Sequence, residues 1–485
     1  MSQLLAVVHI FSKVLMLFSF AFLFPLGVSI VMNDGAYRVY DEAILATFFA
    51  GLFLWLVSRH GKRELLTRDG FLLVVMIWTV LPVFSTIPLL AYMPDLSFTD
   101  AYFEAVSGLT ATGATVLSGL DNLPPSINIW RTLMHWIGGM GVIVLVVAVL
   151  PMLGVGGRQL FKAETPTPMK DSKLTPRMAE TAKGLWQVYA VITVMCMLSL
   201  WAGGMSGIDA MVHGFSVMAL GGMSSHDASM AFFDSPLLEF IVMLFALIAG
   251  ISFSTHFMAF RTRNLFTYRY DAEIRWYFTV LGVSVLGLTF FLLYKGFYLD
   301  FSEALRHAAF NTVSVATTLG FSTTDYNVWP YFAPLWMLFL SSFVASSGST
   351  GGGIKMLRAT LLYKQVYREM VKLVHPRAEI HTKVGQQAVP NKIIYAVLAF
   401  LFIYVASIVV LSFVLSASGL DVFTAFTAVV AMVNNTGPGL GQVGPASTYA
   451  ILNDFQTWVC SFAMLLGRLE FFTLLVVLTP VFWRK

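Results

Sequence analysis

Charge is what this chain has least of. Lys, Arg, Asp and Glu make up only 12% of its 485 residues, where an ordinary soluble domain carries about a quarter. With 57% of the residues apolar, a globular core in water is excluded and a bilayer is required. Cysteine is almost missing as well. Cys196 and Cys460 both lie in apolar runs, which rules out a disulfide framework or thiolate metal centre and leaves two buried small side chains. The net charge of +4 is too small to suggest nucleic acid. There is no HExxH, no GxSxG and no pair of intramembrane aspartates, which weighs against a glycosyltransferase, an intramembrane protease or any other membrane enzyme. A strand–GxGxxG–helix unit is also lacking, so no nucleotide is expected on this chain itself. Residues 1–12 hold no Lys or Arg, and no small-x-small site follows the stretch Val14–Met32. The first apolar run therefore reads as a retained helix and not a signal peptide.

What the chain does have is long apolar runs. At roughly 20 residues per crossing they allow about ten spans, near 4–33, 40–58, 70–93, 127–155, 183–204, 236–260, 276–296, 331–360, 391–417 and 449–483. Basic residues fall on alternate connections, 58–69, 156–183, 261–275 and 358–392, and at Arg484 and Lys485. The opposite connections hold mostly acids, among them Asp95, Asp121, Asp227, Asp325 and Asp454. The positive-inside rule then places both termini in the cytoplasm. Between spans on the acidic side lie four semi-polar segments, near 97–121, 207–230, 301–327 and 420–442. They are too short to cross and too apolar to be free loops.

These four segments carry one pattern. They contain Thr110-Ala111-Thr112-Gly113, Ala219-Leu220-Gly221-Gly222, Thr317-Thr318-Leu319-Gly320 and Asn434-Asn435-Thr436-Gly437, with the closing glycines 109, 98 and 117 residues apart. Six positions before each glycine stand Ser107, Ser216, Ser314 and Ala431, and five after the middle two stand Asp227 and Asp325. A helix-compatible run precedes each tetrad. Such repetition describes a re-entrant loop: a half-helix descends and an extended strand returns. Non-helical backbone at membrane depth is tolerated only in a protein interior or against a wet cavity. Rings of carbonyls from four such loops can replace the hydration shell of a monovalent cation, and the partly negative half-helix C-termini favour a cation below them. The fold expected is an all-α membrane protein: four helix–pore-loop–helix repeats around a central pore, plus an N-terminal helix pair. The boundaries read as 1–69 for the pair, then 70–157, 158–262, 263–360 and 361–485 for the repeats.

With these tetrads, with SVATTLGFSTTD at 314–325 and with NNTGPGLG at 434–441, the chain resembles the Trk/Ktr/HKT superfamily of potassium transporters, most closely its TrkH branch. The resemblance covers essentially the whole chain. It implies that each tetrad is a quarter of a potassium selectivity filter. Glycine in all four copies, Gly113 included, resembles the potassium-passing members, whereas members with serine in the first copy tend to favour sodium. Ala219 and Leu220 depart from the usual Thr-type residues, which puts in doubt any hydroxyl role there.

Two more features lie at membrane depth. Ser346, Ser347, Gly348, Ser349, Thr350, Gly351, Gly352 and Gly353 interrupt the second helix of the third repeat; each Gly costs about 1 kcal/mol relative to Ala in a helix. The other feature is Arg468 in the last span. A charge at the bilayer centre costs about 2.5 kcal/mol or more, and Glu470, two residues on, points away from it on a helix. The residues describe either a flexible kink or a mobile plug, and either a local ion pair or a pore-facing arginine; the resemblance implies a gating loop and a gating arginine at these places. His135, His213, His256 and His307 lack metal-ligand spacing and read as structural, and Asp100, Asp209 and Asp421 as N-terminal helix caps. The resemblance also implies a homodimer and a cytoplasmic TrkA-type regulatory ring that binds NAD, ATP or ADP. Two mechanisms remain open, a channel-like pore for potassium uptake across the bacterial inner membrane and a symporter coupled to protons or sodium. Parallel repeats around an axis favour the first.

Overall fold

The computed structural model describes residues 2–59, 66–141, 178–384 and 387–484. Residues 60–65 and 142–177, which include most of the basic connections 58–69 and 156–183, lie outside the described residues. Among the described residues the regular structure is helical apart from one two-stranded hairpin, β1 (Lys383–Val384) with β2 (Gln387–Ala388). Six helices among the described residues are long and apolar enough to cross a membrane, and two sharply bent helix pairs bring the number to eight when each pair is counted as one span. Outward-facing apolar side chains such as Phe53, Val283, Phe290, Phe402 and Phe413 are more than half exposed, a belt that water does not tolerate. The interior is partly polar: Thr110, Thr112, Thr317, Asn434 and Thr436 are fully buried.

The N-terminal run forms α1 (Ser2–Ser19) and α2 (Leu23–Met32), joined by a single 3-10 turn. Asn33 ends α2 in the left-handed region with φ 51°. The turn that follows is pinned by Asp34, whose carboxylate accepts from Ala36 N at 3.1 Å and Ser126 N at 3.0 Å. Helix α3 (Tyr37–Ser58) returns and packs on α1. Next come α4 (Thr67–Ser85) and α5 (Ile87–Tyr92), α4 carrying Pro82.

Four short helices then follow the same plan: α6 (Phe98–Leu109), α9 (Gly207–Ala219), α13 (Phe301–Ala316) and α17 (Val422–Val433). With 12 to 16 residues at about 1.5 Å each they reach about 18–24 Å, short of the ~30 Å hydrocarbon core. They are buried nearly all round at their C-terminal ends, as interior helices must be. Their caps correct the sequence reading in part. Asp421 caps α17, accepting from Thr424 N at 2.9 Å. Asp100 and Asp209 instead occupy the third helical position. The caps there are Ser97 and Ser206, which accept from the Asp100 and Asp209 amides at 3.1 and 3.0 Å. Each serine hydroxyl also donates to its aspartate carboxylate, a reciprocal arrangement that a longer side chain at the third position completes.

The remaining helices surround these four. They are α7 (Pro125–Trp136, continued by a π-turn at Ile137–Gly141), α8 (Met178–Ala202), α10 (Pro236–Ala249), α11 (Phe253–Thr262), α12 (Ala272–Tyr294) and α14 (Phe332–Ser341), followed by α15 (Met356–Val374), α16 (Asn391–Ala417), α18 (Asp454–Arg468), α19 (Phe472–Leu478) and α20 (Pro480–Trp483). Two spans bend where straight ones are expected, and the break expected in a third is wider than its glycine cluster. α10 and α11 meet at 90°, α18 and α19 at 117°, and the run 331–360 is helical to Ser341 and again only from Met356. The chain is irregular from 342 to 355. Residues 358–392 are more than a connection. In α15 Leu357 and Leu361 are buried with Val389, Ile394 and Val397, a four-residue spacing that a count of charges overlooks.

Candidate functional site

The four tetrads share one backbone conformation. The second residue of each is left-handed, at φ 53° for Ala111, 55° for Leu220, 68° for Thr318 and 52° for Asn435. So is the fourth, at 84° for Gly113, 78° for Gly222, 85° for Gly320 and 92° for Gly437. A left-handed residue with a Cβ costs roughly 1–2 kcal/mol, so the turn must be held. One bond recurs: the amide of the third residue donates to the carbonyl five residues back. Thr112 reaches Ser107, Gly221 reaches Ser216, Leu319 reaches Ser314 and Thr436 reaches Ala431, all at 2.8–2.9 Å. The shared register seen in the sequence is thus a backbone contact, which is why Ala431 serves as well as serine.

The glycines explain the close approach. A Cβ added to Gly113 would lie 1.9 Å from the Gly221 carbonyl oxygen. On Gly222 it would lie 2.3 Å from Leu319 O, on Gly320 2.3 Å from Thr436 O, and on Gly437 2.7 Å from Thr112 O. Each glycine abuts the third-position carbonyl of the next tetrad, and the fourth returns to the first, so the cycle closes. The seam between its last and first members is tied by Asn435, whose Nδ2 donates to Thr112 Oγ1 at 2.9 Å and to Met464 O at 3.0 Å. The hydroxyls of Ser107 and Thr436 and the Asn435 carbonyl oxygen are buried with no protein partner.

The odd second tetrad has a steric cause that sequence reasoning missed. The fully buried His135 ring lies against Gly221, where a Cβ would come within 2.1 Å of Nδ1, and Ala219 packs on Gly139. A larger residue at either position has no room. No feature of the sequence pairs His135 with a segment some 85 residues away.

The glycine-rich run lies directly against the C-terminal ends of the half-helices. Thr350 Oγ1 donates to Met218 O at 3.1 Å, and Gly352 N to Thr318 Oγ1 at 3.1 Å. A Cβ on Gly351 would meet Thr317 O at 2.9 Å, and one on Gly352 would meet Asn434 O at 1.9 Å. The loop backbone is also bonded outward: Ser347 N donates to Glu273 at 2.7 Å, Ser346 N to Gly250 O at 3.0 Å, and Gly348 O accepts from Phe253 N at 2.9 Å. These last two bonds satisfy the backbone groups freed by the bend between α10 and α11. Arg468 joins the loop. Its guanidinium donates to Thr350 O at 3.3 Å and to the carbonyls of Gly138 and Gly139, and lies 5.3 Å from the Trp78 ring centroid. Glu470 turns away and pairs with Arg358 of α15. The structure therefore brings Ser346–Gly353 and Arg468 together and sets the loop against the third and fourth tetrads and against Met218, just before the second.

On the other face a cavity of about 230 Å³ opens over the ring, lined by Gly113, Gly222, Gly320, Pro438, Asp227 and Tyr449 among others. Asp227 accepts from Gly119 N at 2.9 Å and Leu120 N at 3.2 Å, while Asp325 accepts from Asn327 N at 3.0 Å, so both order the return loops. His226 bridges Asp121 at 2.5 Å and Asp209 at 3.3 Å. The hydrogen bond from His226 holds the Asp121 carboxyl below its ordinary value of 3.8. No cluster of three or more His, Cys, Asp or Glu able to hold a metal occurs among the described residues.

Residues 38–484 match the family model of TrkH, described as a cation transport protein. The chain is 45% identical over 482 residues to the Trk system potassium uptake protein TrkH of Salmonella typhimurium, covering 99% of both chains. It is 44% identical to that of Escherichia coli, again over 99% of each. It also resembles the crystal structure of the potassium transporter TrkH from Vibrio parahaemolyticus, with a TM-score of 0.90 and 43% identity, over 99% of this chain and 100% of that one. The chain, a membrane transporter and not an enzyme, belongs to the TrkH family of cation transport proteins.

Proposed function

We propose that this chain takes up potassium across the bacterial inner membrane through one channel-like pore. The observation that carries the reading is the closed cycle of four tetrads, each glycine against the next tetrad's carbonyl. In this reading the carbonyls of Thr110–Gly113, Ala219–Gly222, Thr317–Gly320 and Asn434–Gly437 form the selectivity filter, replacing water around a dehydrated cation. The half-helix ends and the unpartnered oxygens stabilise a hydrated ion beneath it. Ser346–Gly353 and Arg468 form the gate. The loop sits across the path, and the guanidinium both repels cations and latches the loop through Thr350 O. Potassium as cargo follows from the relatives' names and from Gly113. Both termini are cytoplasmic, the unit is a homodimer in membrane lipid, and a TrkA-type ring reading NAD, ATP or ADP moves the gate through the cytoplasmic segments.

Ion flux into liposomes containing the purified protein tests this. Potassium flux well above sodium flux, with no obligatory co-ion, is expected. Proton or sodium movement locked to potassium at fixed stoichiometry would replace the channel reading with symport.

A further inference from the structure

Nine residues before the closing glycine of each tetrad stand Glu104, His213, Asn311 and Ala428. The first three are polar and completely buried. Each reaches from its half-helix to the return segment two or three residues beyond the glycine. His213 Nε2 bonds Ser224 Oγ at 2.9 Å. Asn311 donates to Thr323 Oγ1 at 3.0 Å and accepts from Thr323 N at 3.3 Å. In the fourth repeat Thr427, one residue earlier, exchanges bonds with Leu440 N and O at 3.1 and 3.2 Å. Every half-helix is therefore braced to its own return strand by a buried polar strut.

Only the strut of the first repeat is charged. Glu104 accepts from Thr115 Oγ1 at 2.9 Å and Val116 N at 3.3 Å, and pairs with Arg131 of α7 at 2.8 Å. Both side chains of the pair are fully buried. The Arg131 fork spreads further, to Thr115 Oγ1, to Asn128 Oδ1 and to Ser224 O, each at 3.2 Å. Ser224 belongs to the return strand of the second tetrad. On the other side, Thr115 O accepts from Tyr449 N at 2.9 Å, and the Tyr449 hydroxyl donates to Gly437 O at 2.9 Å. One ion pair thus links the first tetrad to both its neighbours, and on one side ends on a carbonyl of the candidate filter.

Desolvating two charges is costly, and an apolar pair of similar volume is often at least as stable. The planar fork of arginine does what such a pair cannot: it fixes several acceptors in one geometry. A sodium ion is smaller than potassium, so carbonyls must close in on it to ligate it equally well. A braced ring resists that inward movement and so favours potassium. We propose that Glu104 and Arg131 are positioning residues for ion selection, holding the outer end of the first tetrad at potassium spacing. This rests on the filter reading given above.

The test measures potassium-to-sodium permeability ratios of the purified full chain in bilayers, with Gly113→Ser in parallel. Thr115→Val removes the hydroxyl at the centre of the network and leaves the ion pair. The double change Glu104→Gln with Arg131→Met removes both charges at once. Each is expected to lower the ratio several-fold while potassium conductance stays of the same order, a split that general misfolding does not give. An unchanged ratio in Thr115→Val overturns the proposal even if the double variant fails to reach the membrane. If Gly113→Ser lowers the ratio and the strut variants do not, the strut is merely structural. If Gly113→Ser is also silent, the filter reading falls with it.

Discussion

At single positions the chain is governed by backbone meeting backbone. Gly113 has φ 84° and its missing Cβ would stand 1.9 Å from Gly221 O, so Gly113→Ser forces two carbonyl-bearing strands apart. A loss of discrimination of about tenfold, the equivalent of ~1.4 kcal/mol, is expected in reversal potentials measured with mixed potassium and sodium. Arg468 acts through its donors. A hydrogen bond to a charged group contributes about 1.5–3 kcal/mol, so under the proposed gate Arg468→Ala is expected to shift the loop toward open by about tenfold or more and to raise basal flux in liposomes; unchanged flux from protein that reaches the membrane would remove Arg468 from the gate. The glycines were legible in the sequence because only glycine combines left-handed backbone with no side chain, and four in register leave little alternative. His135 and Glu104 were not. His135 is alone and its partner lies on another segment; the register that Glu104 shares with His213 and Asn311 does not disclose its partner Arg131.

At the level of elements, length decided what could be read. Four helical runs too short to span, each followed by a glycine-closed tetrad, read as re-entrant. The bends were hidden. Nothing in Gly250–Ser252 or Leu469–Phe471 announces 90° and 117° turns, because the stabilising bonds come from elsewhere: the glycine-rich loop pairs with the first, and Arg358 reaches Glu470 at the second. The break after Ser341 was visible as glycine and serine, but its extent was not, since Ile354 and Lys355 carry no breaker signal. Deleting residues 346–352 removes the contacts with Met218, Thr318 and Asn434 while sparing the tetrads. Potassium flux is expected to rise with selectivity retained; a deletion protein that folds but conducts no better would show that the loop does not block the path.

For the whole molecule, assembly depends on junctions between repeats that local sequence does not encode. Outside the ring, His226 joins Asp121 of the first return loop to Asp209 of the second half-helix. The Asp121 carboxyl titrates below its ordinary value of 3.8 in the folded protein, so its ionised form adds stability that is complete above that value and lost as pH falls through the lowered one. Asp121→Asn should melt earlier than the parent in detergent at neutral pH, and the two should converge as the pH is brought below the carboxylate range. A gap that persists under acid would assign the effect to shape and not to charge. The cycle of glycine against carbonyl has one more consequence. Its four quarters are written once each in a single polypeptide, whereas a ring assembled from identical subunits repeats every substitution four times. Here a change alters one wall and leaves three intact, so perturbation comes in single doses. Such a ring need not be symmetric, and each quarter is free to drift on its own, as the second has already done around His135.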